Sequence, residues 1–161
     1  MDSVPGINEI KNSIIAELKT KPVSQYPQSL LKLFSIFIYN PNDMNRFYKI
    51  IIEHTNAYDS PCVFMAIKIL DSFFQVYEQN KNTSSFSYKF DYDLLKNPFN
   101  IVFEIDNALC IAKYLWLYYK HAHIMSIIHI NEILTDIFKN KFFNLFFHWS
   151  WQVRDIFYHL F

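Results

Sequence analysis

Four polar side chains recur along the last segment of the chain. His148, Gln152, Asp155 and His159 stand at i, i+4, i+7 and i+11. On a helix these positions share one face. A carboxylate one turn before an imidazole can orient it and favour its charged form, so Asp155 and His159 have the makings of an acid–base pair. No Ser or Cys stands at a spacing that would complete a nucleophilic triad with them. The stripe therefore reads as the outer face of a helix that is available to a partner. Arg154 is one of only two arginines, with Arg46, in a chain that otherwise uses Lys. Its fork suits a bidentate contact to a carboxylate such as Glu132 or Asp155. Trp149 falls on the apolar stripe of the segment and is expected in the core. Trp151 falls off that stripe, and an exposed Trp is a favoured interface anchor. The candidate partner-binding face is Trp151, Arg154, His148, Gln152, Asp155 and His159.

Other constellations are weaker. His121, His123 and His129 are close in sequence, but a zinc site needs three or four ligands converging on one point. His121 and His123, two apart, diverge by about 200° on a helix. No cysteine accompanies them, and the chain holds no HExxH motif. These histidines read as polar residues between helices. Glu104 and Asp106 are also two apart and face away from each other on a helix, so they are not a catalytic pair. The single glycine, Gly6, excludes any Gly-rich phosphate cradle or dinucleotide fingerprint. Neither enzymatic activity nor a cofactor or metal is expected.

Composition narrows the classes further. The 161 residues carry 15 Lys plus Arg and 15 Asp plus Glu, for a net charge of zero. A nucleic-acid surface needs a basic surplus, so nucleic acid is not an expected partner. The chain is 52% hydrophobic, with 17 Phe and 11 Tyr, which is ample apolar surface for a core. Cys62 and Cys110 lie in apolar runs and are expected as buried free thiols. No uncharged apolar run reaches the length of a transmembrane helix: the stretch 101–119 is interrupted by Glu104, Asp106 and Lys113. Asp2, Pro5 and Glu9 argue against a secretory leader. A cytoplasmic location is expected, with association at a membrane surface as the alternative because of the aromatic load. Lys outnumbers Arg 13 to 2, and Asn, Ile, Phe and Tyr are plentiful, as an AT-rich coding sequence would give.

The lack of glycine also bears on the fold. Hairpins need turn glycines, whereas helix connections manage with Asn, Asp, Ser and Pro. Apolar residues recur at helical spacing in seven segments. The expected helices are 7–20, 27–39, 43–57, 59–79, 98–120, 124–139 and 141–161. Asp59 is expected to cap the fourth, with Pro61 in its first turn. The fifth is expected to bury Ile101, Ile105, Leu109, Ala112, Trp116 and Tyr119, with Asp106, Lys113 and Lys120 outside. Residues 80–97, polar and rich in Asn and Ser, are expected as a loop or insert between two helical halves, 1–79 and 98–161, of one domain. The fold class is all-α, arranged as a helical-repeat-like (armadillo- or HEAT-like) array or an irregular bundle. The last pattern runs to Phe161 without a cap. That leaves two expectations: a partner covers the last turn, or the chain is a fragment of a larger helical protein.

One family resemblance accompanies these readings. The run Leu145-Phe146-Phe147-His148-Trp149-Ser150, followed by Val153-Arg154, Phe157 and Leu160, resembles the end of the fungal-type family called domain of unknown function 1765. Asn107-Ala108, Ile111-Ala112-Lys113 and Phe142-Phe143 are similar too. The resemblance covers Pro98–Phe161, and the residues before it carry none. It implies a helical protein, larger than this chain and in some members membrane-associated, and it supplies no catalytic residues. The expected function is a non-enzymatic scaffold or protein-interaction module with a protein partner.

Overall fold

The structure, a computed structural model, describes residues 6–27, 29, 41–79 and 90–160. Among these residues the chain is all-α, with no strand. It divides into two compact units, Met1–Lys81 and Asn82–Phe161.

In the first unit, α1 (Ile7–Leu18) starts from Gly6, whose φ of 87° places it in the left-handed region that glycine enters without strain. Ile14, Ile15 and Leu18 are buried, whereas Ile10, one turn before Ile14, is exposed. The expected helix 27–39 lies outside the described residues. The next helix, α2 (Pro41–Glu53), begins two residues before the expected Asp43. Pro41 opens this helix rather than breaking it, because its missing N–H is one of those a first turn leaves unbonded. Lys11 of α1 pairs with Asp43 of α2. The helix α3 (Ser60–Gln79) buries Cys62, Val63, Ala66, Ile67, Ile69, Leu70, Phe73 and Phe74. Cys62 is a free thiol and donates to the Asp59 carboxylate at 3.0 Å. A tight turn at Val23–Gln25 packs on α3. It delivers Tyr26, whose hydroxyl donates to the Leu18 carbonyl at 2.7 Å. Burial, and secondarily the neighbouring Cys62, pushes this hydroxyl up to about 12.

In the second unit, α4 (Asp93–Ile105) starts inside the stretch expected as a loop. The Asp91 side chain accepts from the Asp93 N–H at 3.1 Å, so the helix is entered five residues before Pro98. Residues 80–89 of that stretch lie outside the described residues. The expected helix 98–120 is in fact two helices, α4 and α5 (Ala108–His121). Asp106 between them takes φ 58°, ψ 35°. Asn107 then caps α5, accepting from the Cys110 N–H at 3.2 Å.

The buried face of this pair also differs from the expected one. Leu95, Phe99 and Val102 of α4 are buried, as are Cys110, Ile111, Tyr114, Leu115, Leu117, Tyr118 and His121 of α5. Ile101, Leu109, Trp116 and Tyr119, expected inside, are exposed. Cys110 is a free thiol. The Tyr118 hydroxyl donates to the Leu95 carbonyl at 3.1 Å, and its burial pushes it well above the usual range.

The expected helix 124–139 begins at Ile127 as α6 (Ile127–Asp136) and passes into a π-helical turn, Ile137–Lys141. Ile133 and Ile137 are buried, and Ile128 is exposed. The expected helix 141–161 is interrupted. A short α7 (Phe142–Phe146) ends before residues 147–150, and α8 (Trp151–His159) then restarts the helix. Phe142, Leu145, Val153, Ile156 and Phe157 form the inner side, fully or partly buried.

Candidate functional site

The helices α5 and α8 lie side by side and run in the same direction. Their starts meet where Asp106 contacts His148 and Trp149, and their ends meet where the Tyr119 and His159 rings are 6.4 Å apart, edge to face. Two features arise along this seam: a knot of hydrogen bonds at the start and an open groove beyond it.

The knot is centred on Asp106. Its Oδ1 is 2.9 Å from His148 Nε2, and its Oδ2 accepts from the Trp149 indole N–H at 3.2 Å. The Ser150 backbone N–H donates to His148 Nδ1 at 3.0 Å. A backbone N–H can only donate, so Nδ1 is an acceptor and Nε2 carries the proton given to Asp106. Arg154 reaches back from α8 and donates to the carbonyls of His148 and Trp149. It does not meet a carboxylate. Side chains thus bond the Ser150 N–H and the His148 and Trp149 carbonyls where the helix is interrupted. The Ser150 hydroxyl donates to Gln152 Oε1 at 3.2 Å. Both Arg154 and the buried His148 act on the backbone of this link rather than on an outer face.

The interruption also moves the tryptophans. Trp149, expected in the core, is 71% exposed, because it sits in the link and not on the stripe of α8. Trp151 is exposed at 64%, on the side its position in the pattern indicates.

Beyond the knot, a groove of about 380 Å³ runs between the two helices. Leu109, Ala112, Trp116 and Ile156 supply apolar walls, and Lys113, Gln152, Asp155 and His159 supply polar ones. The six sequence-predicted residues are therefore split. Gln152, Asp155 and His159 share the groove, His148 and Arg154 belong to the knot, and Trp151 is exposed outside the groove lining. The His159 ring is held by Nδ1, which donates to the Asp155 carbonyl at 2.8 Å.

A second charged feature lies on the α6 side of this unit. Lys141 is 6% exposed and pairs with Asp136, which also accepts from Asn140 at 2.7 Å. The Lys141 ammonium sits 5.9 Å from the Phe99 ring centre and 5.6 Å from that of Phe103. Residues five apart do not meet on an α-helix. The π-helical turn adds the extra residue per turn that brings them together.

Asp106, Asp136 and Lys141 were not among the sequence-predicted site residues. The Asp106-Asn107 pair does carry a signal, since Asp tolerates the left-handed region and Asn caps well. The Asp136–Lys141 spacing carries none.

The remaining histidines do not converge. His121 is wholly buried and His123 is exposed. His129 stacks on Tyr92 with ring centres 4.0 Å apart and pairs with Glu132. Among the described residues no group of three or more His, Cys, Asp or Glu side chains could hold a metal ion. No helix among them is long and apolar enough to cross a membrane.

Compared with known proteins, residues 44–161 match the model of a family described as "Protein of unknown function (DUF1765)". The chain belongs to this family. The match begins well before Pro98, so the residues ahead of that point do carry family likeness. It starts within α2 and runs through the whole second unit. No curated protein matches the chain, and neither does any solved structure.

Proposed function

We propose that this member of the family is a non-enzymatic helical interaction module that captures a protein segment in the groove between α5 and α8. One observation carries the reading. Apolar side chains that a closed core would bury, Leu109 and Trp116, stand about half exposed beside a polar wall of Gln152, Asp155 and His159. Concave apolar surfaces with a few convergent polar groups are the usual form of a recognition site. An amphipathic segment laid between two helices is a recurring mode of peptide capture.

The test is to pan a displayed library of random peptides against the protein. Enriched peptides are expected to lose at least tenfold in affinity for Leu109→Asp, since a charge introduced among apolar contacts opposes their burial. Leu109 is half exposed, so the variant should melt within a few degrees of the parent. If no peptide is enriched, or if enriched peptides bind Leu109→Asp equally well, the reading fails.

A second reading, a module at a membrane surface, has its own observation. Phe143, Phe147, Trp149 and Trp151 are each more than 60% exposed and together present on the order of 500 Å² of aromatic surface. The stretch 137–154 that carries them has no Asp or Glu, and Lys139 in it is exposed. Aromatic rings beside an exposed cation suit the headgroup level of an anionic leaflet. The protein is then expected to float with anionic vesicles more than with neutral ones, and a Phe143→Ser, Phe147→Ser, Trp151→Ser triple variant is expected to stay at the bottom of the gradient. Absence of flotation with either vesicle counts against it.

A further inference from the structure

We propose that the groove between α5 and α8 selects partner segments that place a Lys or Arg side chain among apolar residues. This rests on the reading of the groove as a capture site.

The groove and such a segment are complementary in charge. The Asp155 carboxylate lines the groove, and among the described residues no cation pairs with it and no donor bonds it. Two other carboxylates of this unit are engaged. Asp106 accepts from His148 and Trp149, and Asp136 accepts from Lys141 and Asn140. Lys113 on the opposite wall has a contact of its own.

His159 adds a second acceptor. Its Nδ1–H is spent on the Asp155 carbonyl, so in the neutral tautomer it is Nε2 that offers a lone pair to a ligand. The same end of the groove holds Trp116, whose ring centre is 5.6 Å from that of Tyr119. Both rings are about half exposed. A carboxylate and an imidazole acceptor beside an indole face are matched by a cation. The alkyl stem of Lys or Arg would lie along Leu109, Ala112 and Ile156 while its head meets Asp155, as long basic side chains do on apolar surface. An acidic segment would bring like charge against Asp155.

The panning experiment tests this directly. Enriched peptides are expected to share one Lys or Arg between apolar residues. A synthetic peptide from that pool, followed by fluorescence anisotropy, should bind Asp155→Asn about tenfold more weakly than the parent, the scale of one charge-assisted hydrogen bond. Replacing its basic residue with norleucine should cost the same factor, and the two changes together should cost little more than either alone. Asp155→Lys should reject the peptide.

Peptides that bind in a Leu109-dependent way but carry no basic residue, or that bind Asp155→Asn as well as the parent, overturn this proposal and leave the groove reading standing. Failure to enrich any Leu109-dependent peptide overturns both.

Discussion

Replacing Lys141 with alanine is expected to lower the stability of the second unit by about 3 kcal/mol, the low end of the cost of breaking a buried ion pair. Lys141 is almost wholly buried, and its ammonium is matched by the Asp136 carboxylate and the faces of Phe99 and Phe103. Removing the cation leaves a largely buried carboxylate with Asn140 as its side-chain donor among the described residues. It also leaves a cavity where the side-chain stem packed. Asp136 keeps some access to solvent, so part of its charge rehydrates, and this holds the expected cost at the low end. Replacing both partners with apolar residues, Lys141→Met with Asp136→Leu, should recover most of the loss, because no unpaired charge then remains.

The same pair sets an acid limit. Burial pushes the Asp136 carboxyl up, but hydrogen bonds from Lys141 and Asn140 and the charges of Lys141 and Lys96 outweigh it and hold the group below its ordinary range. A carboxyl depressed in the folded state contributes stability that is fully present above its unfolded value of about 3.9. That contribution is lost as pH falls through the lower folded value. Asp136→Asn should therefore be less stable than the parent at neutral pH and lose less stability between neutral pH and pH 3. The measurement is urea unfolding followed by tryptophan emission. All three tryptophans, Trp116, Trp149 and Trp151, lie in the second unit, so the signal reports that unit alone. A cost below 1 kcal/mol for Lys141→Ala would show that the pair is not a buried one.

Asp106→Ala is expected to cost about 2–5 kcal/mol by the same measurement. Two causes add. Alanine at φ 58° meets the steric penalty of the left-handed region, about 1–2 kcal/mol. Loss of the carboxylate leaves the buried His148 Nε2–H without its acceptor, a further 1–3 kcal/mol or so. Asp106→Gly separates the two. It removes the steric part and keeps the loss of the acceptor, so it should recover about 1 kcal/mol relative to alanine. The Trp149 indole also loses its bond in both variants, and its emission in the folded state should shift. Equal stability of Ala and Gly variants would show that the φ of Asp106 is not what the α4–α5 corner requires.

How much of this was legible in the sequence differs from element to element. The all-α class was legible, because it follows from local quantities: helical spacing of apolar residues, scarce glycine, and Pro, Asp and Asn at the joints. The cysteines were read correctly as free and buried, since an apolar helical run shelters a thiol without help from distant residues. The starts and interruptions were read less well. The α4–α5 corner hides within a continuous apolar pattern, and only Asp106-Asn107 betrays it. The link 147–150 hides in the same way, because two of the side chains that hold it, Asp106 and Arg154, stand 42 and 6 residues from His148.

The buried face of α5 shows the reason most clearly. This helix is apolar on two sides: Ile111, Tyr114, Leu115 and Tyr118 on one, and Leu109, Ala112, Trp116 and Tyr119 on the other. Periodicity finds both stripes and cannot rank them, since burial depends on which neighbour arrives. The sequence alone determined that the chain is helical, which segments are amphipathic, and that Gln152, Asp155 and His159 fall on one helix face. Only the tertiary structure decided that α4 packs on the first stripe of α5. That packing turned the second stripe outward and set Leu109 and Trp116 beside Asp155, because the partners of a stripe are set by long-range packing that no local spacing encodes.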